Sequence, residues 1–253
     1  MKKNDQVNRY LFEYNLVTIN ILSVFILFVC ILINIMVEKF FDISFFETIG
    51  LGFLDTASNS EIPRKLISFW IVAFIVVLFW FILHEIIHAI SYRIMGAKKE
   101  NISFGVVLEK GIFYCKCNDY VSKSCILISV LAPFIMIGII TYIIGAIFNL
   151  GWLVYLSLIN IMGAAGDLAM FSFFIFRDKD IRFKELDDST VFCLETTEDL
   201  TKKKFMYVKL KEVLDKDIKK DSKNKFINIT KPSLIILVGC FVVSLIALIL
   251  ILV

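Results

Sequence analysis

Five long apolar segments alternate along the chain with polar, charged ones. They cover residues 16–37, 66–92, 125–148, 152–176 and 234–253. A helix needs about 20 predominantly apolar residues to cross the hydrocarbon core of a bilayer. Each segment is long enough, so the pattern predicts an all-α polytopic membrane protein with about five transmembrane helices.

Residues 102–117 follow a different pattern. Two runs rich in β-branched and aromatic residues flank a Glu-Lys-Gly sequence, which predicts a small β-hairpin on the cytoplasmic side. The edge of such a hairpin can hold an extended substrate by strand addition. The hairpin can equally serve only to cover a site, and the sequence does not decide between these roles.

These elements predict four regions. Residues 1–15 are a cytoplasmic tail, 16–176 a membrane core, 177–231 a cytoplasmic segment and 232–253 a C-terminal transmembrane helix. In 177–231, apolar residues recur at helical spacing, namely Met206, Leu210, Val213, Leu214 and Ile218. This predicts either an amphipathic helix on the inner leaflet or a solvated helix packed on the hairpin.

Composition agrees with a membrane protein. Of the 253 residues, 58% are hydrophobic, against about 45–50% in an ordinary soluble domain. The net charge of +3 is too small to indicate nucleic-acid binding, so the lipid bilayer is the expected partner surface. The six cysteines form no paired framework, and we assign no role to Cys115, Cys117 or Cys193.

The distribution of basic residues predicts an orientation. Lys and Arg concentrate in 1–15, 93–123 and 177–231, whereas 149–151 has none and 38–65 has few. Basic residues collect in cytoplasmic loops. Five spans then place the N-terminus in the cytoplasm and the C-terminus outside a cell membrane.

One motif within an apolar segment carries metal chemistry. His84, Glu85 and His88 form an H-E-x-x-H sequence, and the chain has no other histidine. Residues four apart share one helix face, so both imidazoles can bind one zinc ion at about 2.0–2.1 Å. Glu85 then lies beside a zinc-bound water as general base. The alternative is a pair of core histidines with Glu85 pairing with them, but three ionisable residues in a span usually have a functional reason.

A catalytic zinc needs a third protein ligand. Outside the motif, the five apolar segments contain one acidic residue, Asp167. Segments 66–92 and 152–176 run in the same direction, and at about 1.5 Å per residue Asp167 lies within a turn or two of the depth of His84 and His88. Asp167 is therefore the predicted third ligand. The alternative is a buried charge paired with Arg93 or another basic group.

Asn160 precedes Asp167 by seven residues and shares its helix face with Gly163. Its amide could bind substrate backbone or a developing oxyanion. An interhelical hydrogen bond is an equal alternative, because polar side chains commonly join helices in membranes.

These motifs resemble a known family. HEIIHA at 84–89 is followed in a later span by NIMGAAGD at 160–167. This pair of motifs resembles the zincin peptidases, a family of bacterial multi-pass membrane proteins that is related to the site-2 protease class. The resemblance covers roughly residues 66–195. It implies that His84, His88 and Asp167 bind zinc and that Glu85 is catalytic.

Together, these observations predict a zinc-dependent metallopeptidase embedded in the membrane. Its substrates would be membrane proteins or membrane-proximal peptides, cleaved near the cytoplasmic side. The alternative is a non-enzymatic transporter or metal-binding regulator that uses the same buried cluster. Transporters often contain inverted repeats, and none is evident in this sequence.

Overall fold

The computed structural model describes residues 7–45, 48, 62–107, 112–186, 191–201, 208–212 and 227–228. The helices within these ranges are α1 (Leu16–Phe41), α2 (Ile62–Ile94), α3 (Lys123–Ile147), α4 (Gly151–Gly163) and α5 (Ala165–Ile175). By length and composition, α1, α2 and α3 are candidate membrane spans, and α4 with α5 makes a fourth if the two are one broken span.

Eight strands accompany these helices within the same described ranges. They are β1 (Asn8–Tyr14), β2 (Ile102–Val107), β3 (Ile112–Cys117), β4 (Val121–Ser122), β5 (Arg182–Glu185), β6 (Val191–Thr196), β7 (Val208–Glu212) and β8 (Ile227–Asn228). A five-stranded sheet has the order β4-β5-β6-β1-β7, and a three-stranded sheet has the order β3-β2-β8. All the pairings are antiparallel.

The prediction of an all-α protein with five spans is therefore wrong. The chain is a mixed α and β protein with two antiparallel sheets, and the described residues offer at most four candidate spans. The predicted span 234–253 lies outside the described residues. The error arose because the strands of the larger sheet are far apart in sequence, with Asn8 opposite Thr196. No local pattern reports such a pairing.

Strand β7 also corrects a prediction. Val208, Leu210 and Glu212 alternate with Lys209 and Lys211, and this segment pairs with β1 instead of forming an amphipathic helix. Apolar and polar residues alternate over 208–211, which is the period of a strand, because successive side chains point to opposite faces. The helical prediction is wrong for 208–212. The other positions on which it rested lie outside the described residues, namely Met206, Val213, Leu214 and Ile218.

The predicted hairpin strands are present as β2 and β3, paired from Ile102 opposite Cys117 to Val107 opposite Ile112. Gly105 lies opposite Tyr114, and a Cβ built on Gly105 would overlap the phenol of Tyr114. Glycine at this position therefore lets the tyrosine ring lie across the strand.

The chain divides into two compact units. The first unit draws on Met1–Phe25, Glu85–Phe134 and Gly163–Asn228 and contains both sheets. Its core is rich in aromatic rings, including Phe12, Phe173, Phe174, Phe183 and Phe192, each at most 5% exposed. Burial of such rings supplies most of the stabilising free energy of a core.

The second unit draws on Ile26–His84 and Ile135–Met162. It contains most of α1 and α2, and α4 up to Met162. Here Tyr142 donates a hydrogen bond to Asn34, whose amide donates to Glu38. Polar side chains in apolar helices are satisfied by such local networks.

Helix α3 changes its winding along its length. It is α-helical over Lys123–Pro133, π-helical over Phe134–Ile140 and α-helical again over Thr141–Ile147. Its first turn is capped by Ser122, whose hydroxyl accepts from the Cys125 amide at 3.3 Å. The π-helical part begins directly after Pro133, because proline lacks the N–H that continues an α-helix.

Candidate metal centre

The last third of α2 carries the histidine motif. His84 and His88 are each 8% exposed. One ligand atom from each of His84, Glu85 and His88 lies within 4.8 Å of the others, so the three could hold a metal ion. This arrangement follows from helix geometry alone, because α2 runs unbroken through all three residues.

Helix α2 ends shortly after the motif because of a glycine. Gly96 has a φ of +94°, in the left-handed region that favours glycine. The amide of Ala97 donates back to the carbonyl of Tyr92 at 2.9 Å. This closure is typical of a helix C-terminus, and it ends α2 two turns beyond His88.

His88 has a defined partner for each ring nitrogen within the first unit. Nδ1 lies 2.9 Å from the carbonyl oxygen of Ser129, and Nε2 lies 3.5 Å from Oδ1 of Asp167. A carbonyl only accepts hydrogen bonds, so Nδ1 of His88 carries a proton, and Nε2 is the ring nitrogen that could bind a metal ion. In a tetrahedral zinc site with bonds of about 2.0–2.1 Å, two ligand atoms are about 3.3 Å apart. The separation of His88 and Asp167 is close to this value.

Asp167 lies in the first turn of α5, and its side chain is 18% exposed. The helix dipole and free amides at a helix N-terminus favour a negative charge there. Arg93, the alternative partner considered for Asp167, donates instead to the carbonyl of Ala97 at 2.6 Å. Asp167 therefore lies beside His88. The similar depth of the two residues along their apolar segments had predicted this proximity.

His84 has a corresponding partner within the second unit. Its Nδ1 lies 2.9 Å from Oδ1 of Asn160 on α4, and Asn160 is 1% exposed. With an amide oxygen as acceptor, Nδ1 of His84 carries the proton and Nε2 has the lone pair. The contact is an interhelical hydrogen bond, which was the alternative considered for Asn160.

A close approach of helices holds Asn160 in place. A Cβ on Gly138, in the π-helical part of α3, would lie 2.7 Å from Cγ1 of Ile161 and 3.6 Å from Nδ2 of Asn160. Gly138 thus allows α3 and α4 to pack tightly beside the amide.

The residues present suit a zinc ion. Two imidazoles on one helix face each have Nδ1 bound to an acceptor, which is the usual arrangement of zinc-binding histidines. One carboxylate lies at ligand spacing from His88. Two histidines and an acidic residue are a donor set found in catalytic zinc sites.

Glu185 of β5 is a buried acid that the sequence did not reveal. It is 7% exposed and accepts a hydrogen bond at 2.9 Å from Tyr92, one helical turn beyond His88. Burial raises the pKa of Glu185 to about 8, against the lowering effects of Tyr92 and His88. Its signal is the alternation of β5, which places Phe183 and Glu185 on the buried face. That signal becomes readable only once the strand is known.

Comparison with known proteins supports zinc chemistry for this part of the chain. No curated protein and no solved structure matches the chain at a significant level. Residues 77–182 match the family model described as "Putative zincin peptidase". The matched segment includes His84, Glu85, His88, Asn160 and Asp167, and the match suggests a zinc metallopeptidase.

Proposed function

We propose that the protein is a zinc-dependent, membrane-embedded metallopeptidase that hydrolyses peptide bonds of membrane or membrane-proximal proteins. The observation that carries the proposal is the environment of His88. Its Nδ1 is bound to the Ser129 carbonyl, and its Nε2 lies at ligand spacing from Asp167. A histidine with both nitrogens arranged in this way suits metal binding better than simple packing.

The proposed zinc ligands are His84, His88 and Asp167. His84 precedes His88 by one turn of α2, and its Nδ1 is bound to Asn160. Three protein ligands leave one position of a tetrahedral zinc for water or substrate, as in catalytic sites. When bound, zinc lowers the pKa of its water to about 7 and polarises a substrate carbonyl.

Glu85 is the proposed general base. Its carboxylate lies within 4.8 Å of the ligand atoms of both histidines. It takes a proton from the attacking water and later gives that proton to the amine nitrogen released when the peptide bond breaks. The proton is thereby transferred from water to product, and Glu85 returns to its starting state.

Asn160 acts in this proposal as a positioning residue for His84. A substrate-binding or oxyanion role for Asn160 stays a prediction. A role of the hairpin of β2 and β3 in holding an extended substrate also stays a prediction; the hairpin follows α2 along the chain.

The proposed setting is a cell membrane, with the site toward the cytoplasm. Three helices long and apolar enough to cross a bilayer support the membrane. The Lys- and Arg-rich segments that flank the motif helix and α5 support the cytoplasmic side, and the N-terminus lies there too. An active site carried by candidate spanning helices supports the kinship with site-2 proteases.

Replacing Glu85 tests the enzymatic proposal. Glu85→Gln removes the base but keeps the size of the side chain. We expect zinc content to stay unchanged and cleavage of a panel of purified membrane-protein fragments to fall by about 100-fold or more, the range of one positioned base. Glu100→Gln, exposed beyond α2, is the matched control and should cleave normally.

Three outcomes would contradict this proposal. Full activity in Glu85→Gln would remove Glu85 from the mechanism. Zinc binding without cleavage of any fragment by the wild-type protein would favour the metal-binding regulator instead, and absence of zinc would favour a transporter that uses the cluster for other ions.

A further inference from the structure

We propose that Pro133 is a positioning residue of the metal centre, because it leaves the Ser129 carbonyl available to accept from His88. The inference rests on the proposed zinc site but concerns the backbone of α3. Ser129, Pro133 and His88 all belong to the first unit.

The argument begins with the hydrogen-bond ladder of an α-helix. The amide of residue i donates to the carbonyl of residue i−4, so the natural donor to Ser129 is residue 133. That residue is proline, which has no N–H. The next amide, from Phe134, donates to the carbonyl of Leu131. The helix thus supplies no donor from either residue to the Ser129 carbonyl.

The side chain of His88 fills this position. Its Nδ1 lies 2.9 Å from the Ser129 carbonyl, and Ser129 is fully buried. The hydroxyl of Ser129 donates elsewhere, to the carbonyl of Cys125 at 3.0 Å. The partner of His88 is therefore backbone, and no substitution of the Ser129 side chain removes it.

The consequence is a fixed tautomer. A carbonyl that accepts from neither residue 133 nor residue 134 holds a proton on Nδ1 of His88 and directs Nε2 toward Asp167. His84 obtains the same result from a side chain, the amide of Asn160. The two proposed zinc-binding histidines are thus oriented in different ways, His88 by a backbone carbonyl and His84 by a side-chain amide.

Pro133→Ala tests the inference because it supplies an amide that competes for the Ser129 carbonyl. We expect zinc affinity, measured by competition with a chelator, to fall by about 10–100-fold, the usual effect of losing a partner of a metal ligand. Ser129→Ala keeps the carbonyl and is the matched control. It should retain wild-type affinity.

A spectroscopic readout separates positioning from general damage. The chain has two histidines, so protein labelled with ¹⁵N-histidine gives signals from only two imidazoles. In metal-free wild-type protein we expect both to have the proton on Nδ1. Pro133→Ala should shift His88 toward the other tautomer and leave His84 unchanged, whereas Asn160→Leu should do the reverse.

The inference is overturned if Nδ1 of His88 carries no proton in the wild type, a measurement that needs no variant. Unchanged zinc affinity and an unchanged His88 signal in Pro133→Ala would also overturn it. If that variant fails to fold, as judged by a lost His84 signal, Pro133→Gly supplies the same amide and should give the same two shifts. If the variants show these shifts but the wild-type protein cleaves nothing, the proposed function is refuted and this inference stands.

Discussion

At the level of single residues, the candidate metal centre is defined by the oxygen atoms to which its histidines donate. His84 and His88 each give one ring proton to an oxygen acceptor 2.9 Å away, the amide of Asn160 and the carbonyl of Ser129. Fixing the tautomer and ring orientation beforehand lowers the cost of ordering the ligands when a metal binds. The second ring nitrogen of His88 lies 3.5 Å from the carboxylate of Asp167.

Asp167→Asn tests the third ligand. The substitution keeps the shape of the side chain but removes its negative charge, which a divalent cation prefers. We expect zinc bound per protein, measured by atomic absorption after dialysis, to fall well below one.

Asp178→Asn, exposed after the end of α5, is the matched control and should keep its zinc. Stoichiometric zinc with unchanged affinity in Asp167→Asn would remove Asp167 from the ligand set.

The motif residues were readable from the sequence because their relationship is local. The spacing of His84, Glu85 and His88 places them together on any helix. Asp167 was readable because few ionisable residues occur in apolar segments. Glu185 was not, because its burial depends on strand pairing between β5 and β6. Ser129 was not, because its backbone takes part and its side chain does not.

At the scale of elements, strand β1 has the most influence on the first unit. It pairs with β6 on one side and β7 on the other, and so joins segments almost 200 residues apart. Phe12 is fully buried at its centre, with ring centroids 5.0 Å from Phe173 and 5.5 Å from Phe192. The alternation of Tyr10, Phe12 and Tyr14 was a strand signal in what we interpreted as a polar tail.

Phe12→Ala should destabilise the first unit by about 3–5 kcal/mol, the usual cost of deleting a buried aromatic ring. Leu11→Ala lies on the opposite face of the same strand, where the side chain is only half-buried, and should cost less. Chemical denaturation in detergent, followed through the zinc content and tyrosine fluorescence, measures both.

Equal losses for the two variants would show that pairing of the backbone, and not the aromatic core, is the main contribution of β1.

At the scale of the whole molecule, apolar helices and antiparallel sheets occur in one chain. The first unit contains the sheets, His88 and Asp167, and the second contains His84 and Asn160. Helix α2 runs through the boundary between the units, at His84 and Glu85. A buried acid in the sheet, Glu185, links the stability of the first unit to pH.

Because burial raises the folded-state pKa of Glu185 from 4.5 to about 8, the folded protein binds a proton that the unfolded chain releases in this range. The contribution of Glu185 to the free energy of unfolding therefore falls as pH rises from about 4.5 to 8 and levels off above. His88, Glu85, Lys116 and Tyr92 also act on this carboxyl.

We expect the difference in the free energy of unfolding between pH 5 and pH 8 to be at least about 1.4 kcal/mol smaller in Glu185→Gln than in the wild type. This is the value of one pKa unit. Denaturant midpoints of chelator-treated protein at pH 5 and pH 8 measure it, with the exposed Glu212→Gln as control. An unchanged difference between the two pH values would mean that Glu185 does not carry the effect.

The amino-acid sequence alone was enough to predict the features that depend on residues close together along the chain. These are the apolar helices α1 to α3, the strands of the hairpin and the grouping of His84, Glu85 and His88. Helix period and segment length fix all of these, because they need no knowledge of distant residues.

Features that depend on contacts between segments far apart in sequence became visible only in the tertiary structure. The larger sheet joins β1 to β6 across the length of the chain, and it turns an expected all-α protein into a mixed one. The acceptors for His84 and His88 come from helices 76 and 41 residues away. A hydrogen bond between such segments leaves no periodic pattern in either one. These two acceptors therefore could not be predicted from the sequence.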